Sequence, residues 1–242
     1  MTGISPSPIF QGGIIAAGEG HRLRAQDSRI SKPMVRVNGR PLIDHAVERF
    51  RTVGIRRLTV IINDHSDDCR QWLLCNARDF DLDLIVRTTP SSYASFQFVA
   101  RRLAGAPAVI TTVDGVMATA DFRDFVTAAA AFPKNAVVLG LTDCVDDEKP
   151  LWATLDPANG RIVQVGGDNG SHVTAGLYVL PAQRPAEPAT SFDRLRDYLR
   201  WLVVDGYPVH GIVLPRVFDI DRRHDVEAAE RAEGRSSLGN GI

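Results

Sequence analysis

The sequence predicts an α/β fold in which helices cover both faces of a doubly wound, mostly parallel sheet. Short apolar runs alternate with helical patterns from Ile14 to Leu141, as in chains built from strand–helix–strand units. The 242 residues are 44% hydrophobic, which is enough to bury a core. Right-handed crossovers place the loops after parallel strands on one edge of such a sheet, where ligands bind.

The elements of this first part are distinguished by their apolar period. The strands are short apolar runs, whereas the helices repeat apolar residues on one face, and the first of them ends before Gly54. Strands are predicted at residues 14–17, 58–62, 82–86, 109–113 and 136–141. Helices are predicted at residues 41–53, 67–77, 95–103 and 121–132.

The chain becomes β-rich after residue 143, where we expect a small inserted lobe. A turn-rich segment, DPANG at 156–160, separates two strands of a hairpin. We expect one domain over residues 9–233, with loose termini at 1–8 and 234–242. Strands are predicted at residues 152–155, 161–165, 172–180, 209–214 and 217–220, and helices at 192–203 and 225–232.

Composition excludes several classes of protein. The net charge is −1 with no basic tract, so we expect no nucleic-acid partner. The three cysteines match no zinc motif and indicate a reduced, cytoplasmic protein. No apolar run reaches the roughly 18 residues that a membrane helix needs, and the first eight residues do not read as a signal peptide, so no membrane association is expected.

A glycine-containing loop follows the first strand. Glycine lets the backbone approach a ligand and turn its N–H groups inward, which suits phosphate oxygens. Arg22 and Lys32 add cations that can hold phosphate. The glycines alone also fit a tight turn, and they match neither the dinucleotide fingerprint nor a Walker loop. The predicted nucleotide-binding residues of this loop are Ala16, Ala17, Gly18, Glu19 and Gly20.

The complete string IIAAGEGHRL, followed by SKPMVRVNGRPLIDH, resembles the opening of the sugar-phosphate nucleotidyltransferases. That family shows A-A-G-x-G-x-R-L, then K-P, then a glycine and P-L-I. The resemblance covers residues 13–63 well and continues more weakly to about residue 232. It implies the nucleotide-diphosphosugar transferase fold and a nucleoside triphosphate held by this loop, with Arg22 and Lys32 as catalytic residues.

The resemblance also implies a Mg²⁺ site made by aspartates. Asp114 follows the strand VITTV, at the position where the family has a metal ligand. Asp219 and Asp221 compete for the second ligand near the end of the chain, since alternation puts both on one face of a strand. Either one could bind the metal while the other caps the next helix. A hard cation offsets the repulsion between two phosphate-bearing anions.

The acceptor pocket is implied by HVTAGLY at 172–178, which resembles the family's T-G-L-Y strand. We expect Thr174, Ala175 and Gly176 to line it, and an ordinary strand with a bulge is the alternative. The family's E-K-P follows the hairpin, whereas Glu148-Lys149-Pro150 precedes it here. The role of the family's acceptor lysine is therefore not carried over to Lys149.

The segment expected to contact the base departs from the family. Residues 89–95 lack its glycines, so we expect an altered base pocket. Ser92 and Tyr93 are the predicted nucleotide contacts here. Tyr93 could stack on a base, and core packing is the alternative.

The predicted function is Mg²⁺-dependent transfer of a nucleoside monophosphate from a triphosphate onto a sugar 1-phosphate or similar phosphorylated acceptor. Pyrophosphate leaves, as in nucleotide-sugar synthesis. Residues 9–143 form the nucleotide-binding half and residues 144–233 the acceptor-binding half. The alternatives are a cytidylyltransferase for a phospho-alcohol or acidic sugar, and a nucleotide-binding module without activity. A glycosyltransferase fits less well, because Asp114-Gly115-Val116 lacks the second carboxylate of a D-x-D motif.

Overall fold

A computed structural model describes residues 11–18, 30–145, 149–186 and 191–238, with the backbone alone over 233–238. Within these ranges, no helix is both long and apolar enough to span a membrane. The helices are α1 (Leu42–Thr52), α2 (Asp67–Asn76), α3 (Ser92–Arg102), α4 (Thr119–Ala129), α5 (Leu195–Val204) and α6 (Arg223–Leu238). The strands are β1 (Gln11–Ala16), β2 (Arg36–Val37), β3 (Arg40–Pro41), β4 (Arg57–Ile62), β5 (Asp81–Val86), β6 (Ala108–Thr112), β7 (Gly115–Val116), β8 (Val137–Thr142), β9 (Trp152–Leu155), β10 (Ile162–Val165), β11 (His172–Leu180), β12 (Val209–Leu214) and β13 (Phe218–Asp219).

A nine-stranded sheet runs through the centre of the fold, and it confirms the predicted α/β class. Its main path is β10-β9-β11-β6-β1-β4-β5, and β8 pairs with both β11 and β12. The strands β6, β1, β4 and β5 are parallel. β11 runs antiparallel between β6 and β8. The β-rich segment expected as an inserted lobe therefore continues the central sheet through β9, β10 and β11.

Helices pack on both faces because the central strands β1, β4, β6 and β8 bury apolar residues on both sides. Buried residues form two clusters, one containing the inner face of α1 and the other containing those of α3 and α5. The contact between α3 and β1 depends on Gly13, where an added Cβ would lie 2.6 Å from Val99 Cγ1. A glycine at this position allows the helix to approach the strand closely.

The helix ends differ from the predictions near the C-terminus. α5 begins at Leu195 and not at 192. α6 continues to Leu238, beyond the predicted end at 232, so part of the segment expected as a loose terminus is helical. Serine and charged residues over 233–238 lack an apolar period, but they do not stop a helix that is already nucleated.

Arg49 is an unusual core residue on α1. Arg49 is only 1% exposed, and its three guanidinium nitrogens have no hydrogen-bond partner among the described residues. The guanidinium carbon lies 5.9 Å from the ring centroid of Phe122 on α4. Burial lowers the pKa of Arg49 to about 10. Arg49 therefore costs the fold free energy that its ring contact offsets only in part.

We expect Arg49→Met to stabilise the protein. Methionine keeps an unbranched apolar stem and removes a buried cation, so the free energy of unfolding should rise by about 1–3 kcal/mol. Chemical denaturation with urea measures this change.

Arg51→Met, two residues further on α1, is the matched control. Arg51 Nε donates to Asp79 Oδ2 at 2.8 Å and its Nη1 to Glu48 Oε2 at 2.6 Å. Its loss should lower stability slightly. A lower stability of Arg49→Met would show that the contact with Phe122 outweighs the cost of burying the cation.

Candidate active site

Two distant parts of the chain meet at the carboxyl end of β6. Asp114 follows this strand, and the next two residues form β7, which pairs antiparallel with β13. In this ladder Asp219 lies opposite Gly115. The backbone N–H of Ile220 donates to the carbonyl of Asp114 at 3.1 Å. The ladder thus brings Asp219 and Asp221 beside Asp114.

The three predicted metal ligands form one cluster. Asp114, Asp219 and Asp221 each offer a carboxylate oxygen, and these atoms all lie within 4.8 Å of one another. Asp219 is exposed, whereas the other two are half-buried. Carboxylate oxygens are hard ligands that suit Mg²⁺ or Ca²⁺ better than soft metals.

Lys32 joins two of these carboxylates. Its Nζ donates to Asp114 Oδ2 at 2.6 Å and to Asp221 Oδ1 at 2.5 Å, and its side chain is 8% exposed. Burial alone would lower the pKa of Lys32, but the two carboxylates outweigh burial and raise that pKa. Burial would likewise raise the pKa of Asp114, yet Lys32 and a hydrogen bond from Thr112 keep it below its usual range.

The backbone around Lys32 is held by α2. The N–H of Ser31 donates to Asp68 Oδ2 at 3.0 Å. Lys32 then begins a 3-10 turn that ends at Met34, with the N–H of Met34 bonded to the carbonyl of Ser31 at 2.9 Å. These contacts therefore fix the backbone of Lys32, while its long side chain reaches the carboxylate cluster.

Asp225 is a site residue that the sequence analysis missed. At the start of α6 its Oδ2 accepts from the backbone N–H groups of Asp221 at 2.9 Å and Arg222 at 2.6 Å. Asp225 thus holds the backbone that leads from Asp221 into α6. An acidic residue in the first turn of a helix was the available signal.

A cavity of about 330 Å³ opens beside the cluster. Asp114 and Asp219 line one end of it, and Thr174, Ala175 and Gly176 line a wall, together with Arg196 of α5. The structure thus brings the predicted acceptor residues next to two of the predicted metal ligands.

Gly176 marks a bulge in β11 as well as a wall of the cavity. The pairing of β11 with β8 shifts register between Thr174 and Tyr178, and Gly176 has φ +64°. An added Cβ would lie 2.4 Å from Thr112 Oγ1. Glycine here therefore makes room for the hydroxyl that hydrogen-bonds Asp114.

The start of α3 places Tyr93 in the core and Ser92 at the cavity. Tyr93 is 2% exposed, with its ring centroid 5.2 Å from Phe192 and 5.1 Å from Tyr198. Core rings surround Tyr93, which favours the packing alternative over stacking on a base. Ser92 lines the cavity, and its Oγ accepts from the N–H of Leu195 at 3.0 Å.

The phosphate-binding loop lies only partly within the described residues. Ala16 ends β1, Ala17 is buried, and Gly18 is exposed beyond the strand end. The positions of Glu19, Gly20 and Arg22 lie outside the described residues, so their roles stay predictions.

A carboxylate cluster with a lysine, beside a cavity at the carboxyl ends of parallel strands, is a candidate ligand site of the kind found in α/β enzymes. A family model narrows this class. The MobA-like NTP transferase domain matches residues 12–200, and the chain belongs to that family. The predicted enzyme class, a nucleotidyltransferase, is thereby confirmed.

Three known proteins illustrate this relationship. The bifunctional protein GlmU of Paraburkholderia phymatum is 24% identical over 179 residues, which are 71% of this chain and 38% of that protein. The inositol-1-phosphate CTP transferase of T. maritima superposes with a TM-score of 0.77 at 17% identity, over 98% of this chain and 99% of that one. A putative glucose-1-phosphate thymidylyltransferase from Bacillus anthracis, solved with a sucrose, gives 0.77 at 16% identity, over 92% and 94%. The two structures confirm the predicted fold.

We expect Asp225→Ala to loosen Asp221 and shorten α6 from its start. Loss of a buried carboxylate that accepts two backbone N–H groups should lower the free energy of unfolding by about 1 kcal/mol. It should also weaken Mn²⁺ binding, because the backbone of Asp221 loses its anchor. Denaturation and electron paramagnetic resonance of free Mn²⁺ measure the two effects.

Glu227→Ala is the control on the same helix, since its side chain is 55% exposed and its arginine partners are 3.9 Å away. Equal stability and equal Mn²⁺ affinity of the two variants would refute the anchoring role of Asp225.

Proposed function

We propose that the chain transfers a nucleoside monophosphate from a triphosphate to a phosphorylated small molecule in a Mg²⁺-dependent reaction that releases pyrophosphate. The observation that carries this proposal is the convergence of three carboxylates within 4.8 Å, beside a cavity that can hold an acceptor. The family match supports the nucleotidyl part, and the carboxylates support the metal.

The residues present fit Mg²⁺. The donor atoms are carboxylate oxygens, and the ammonium of Lys32 already occupies a cation position between two of them. Asp114, Asp219 and Asp221 would hold the ion. When bound, Mg²⁺ supplies positive charge that offsets the repulsion between the two phosphate-bearing substrates.

The protein's own groups position the substrates. Backbone N–H groups after β1, from Ala17 to Gly20, would cradle the triphosphate, and Arg22 and Lys32 would donate to its oxygens. An oxygen of the acceptor phosphate attacks the α-phosphorus while pyrophosphate leaves in line. That oxygen is already anionic, so the site needs no general base.

Arg196 is the best candidate for binding the acceptor phosphate. Its side chain lines the cavity and donates one hydrogen bond, from Nη2 to the carbonyl of Lys149 at 3.0 Å. A guanidinium has five N–H donors, so it can also hold phosphate oxygens. Lys149 is exposed and contributes its backbone to this arrangement. Arg196 would therefore take the part of the family's acceptor lysine.

We expect pyrophosphate release with at least one pair of a nucleoside triphosphate and a sugar 1-phosphate or phospho-alcohol, and none after chelation of Mg²⁺. Asp114→Asn should lower kcat by roughly 100-fold or more, because the neutral amide holds the cation much more weakly than a carboxylate does. Asp124→Asn is the control, since its side chain is 73% exposed on α4.

If calorimetry shows that the protein binds a triphosphate but no pair of substrates gives pyrophosphate release, the inactive nucleotide-binding module is favoured and this proposal is refuted. Turnover only with CTP and a non-sugar phosphate would select the cytidylyltransferase alternative.

Arg196→Gln should raise KM for the acceptor by roughly 10–100-fold, as expected for loss of a charged hydrogen bond, and leave KM for the triphosphate unchanged. Steady-state kinetics with the most active pair of the panel provides both constants. Arg194→Gln, two residues earlier and exposed, is the control. An equal rise in both constants would show that Arg196 supports the fold of the site and does not bind the acceptor.

A further inference from the structure

The ammonium of Lys32 lies between two carboxylates, at a position that would suit a metal cation. Its ammonium is 2.6 Å from an oxygen of Asp114 and 2.5 Å from an oxygen of Asp221. Both aspartates belong to the cluster whose donor atoms lie within 4.8 Å of one another. An ammonium at hydrogen-bond distance from two carboxylates satisfies the same charge that a divalent ion would satisfy.

We infer that Lys32 is a displaceable stand-in for the metal, which couples metal binding to triphosphate binding. The inference rests on the proposed function, because it takes Asp114 and Asp221 as metal ligands. A divalent ion that binds these carboxylates must first break two short charged hydrogen bonds. The Lys32 side chain therefore opposes metal binding when no nucleotide is present.

The exchange requires only the side chain to move. The backbone on either side is held by the bond from Ser31 to Asp68 and by the 3-10 turn that begins at Lys32. Lysine has four rotatable side-chain bonds and a compact ammonium, so the head group can leave while its Cα stays in place.

Once displaced, the ammonium of Lys32 can bind the triphosphate. Once it leaves the carboxylates, it remains a cation beside the phosphate-binding edge, and a triphosphate supplies oxygens to receive it. The triphosphate therefore binds better after the metal has released Lys32, and by thermodynamic reciprocity the metal binds better when a triphosphate is present. Such coupling keeps Lys32 on Asp114 and Asp221 until both ligands arrive.

The test is the affinity of the folded protein for Mn²⁺ alone, measured by electron paramagnetic resonance of the free ion. Lys32→Met should bind Mn²⁺ roughly 10–100-fold more tightly than the wild type, since the charged hydrogen bonds no longer compete. Lys32→Gln should shift in the same direction. Lys134→Met, with an exposed lysine in the loop after α4, should match the wild type.

The melting temperature is a second readout, and it distinguishes altered metal affinity from misfolding of the variant. Three carboxylates without their ammonium repel one another, so Lys32→Met should unfold at a lower temperature than the wild type without metal. Mg²⁺ should then raise its Tm by more than it raises the wild-type Tm. Asp114→Asn should lose most Mn²⁺ binding, which confirms that the signal comes from this cluster.

Equal or weaker Mn²⁺ binding by both Lys32 variants would overturn the inference. If pyrophosphate release still needs Mg²⁺ in that case, the proposed function stands and only the stand-in role of Lys32 fails. If no variant binds Mn²⁺ and release does not depend on metal, the metal site itself fails.

Discussion

Repulsion among three carboxylates is the constraint on which the arrangement of this site depends. Asp114, Asp219 and Asp221 offer oxygens within 4.8 Å of one another, which costs free energy wherever water is partly excluded. Lys32 offsets that cost through two short charged hydrogen bonds. The lysine comes from the first part of the chain and one of its partners from the last, so the ion pairs also join the two ends of the fold.

The rest of the structure serves to hold these charges in place. A two-residue ladder between β7 and β13 brings the C-terminal segment to Asp114. Asp225 then fixes the backbone of Asp221 through two N–H groups, while Asp68 fixes the backbone before Lys32. Each of these contacts involves only one or two hydrogen bonds or residue pairs. Together they fix the backbone around the cluster, which is what preorganisation of charged groups requires.

The sequence predicts the elements of this fold well because buried strands are apolar runs. β9, β11 and β12 have the predicted bounds, and most others differ by one to three residues at their ends. Asp114 was also predictable, since a carboxylate directly after an apolar strand lies at the ligand edge. The contacts of Lys32 were not, because they join residues 82 and 189 positions apart. The sequence left Tyr93 open between a base contact and core packing, because an aromatic residue at a helix start has the same local pattern in a core as in a pocket. Burial of Arg49 has no local signal either, since arginine on an amphipathic helix is ordinarily solvated.

The carboxylate cluster combines residues from the predicted nucleotide-binding half and from the predicted acceptor-binding half. Asp114 comes from the first half, whereas Asp219 and Asp221 come from the second. β11 lies between β6 and β8 in the sheet, so a strand of the second half separates two strands of the first. The bulge at Gly176 in that same strand makes room for Thr112, which hydrogen-bonds Asp114. Thr112 therefore links the cavity wall at Gly176 to the carboxylate cluster, and we expect a larger side chain at position 176 to disturb Asp114 as well.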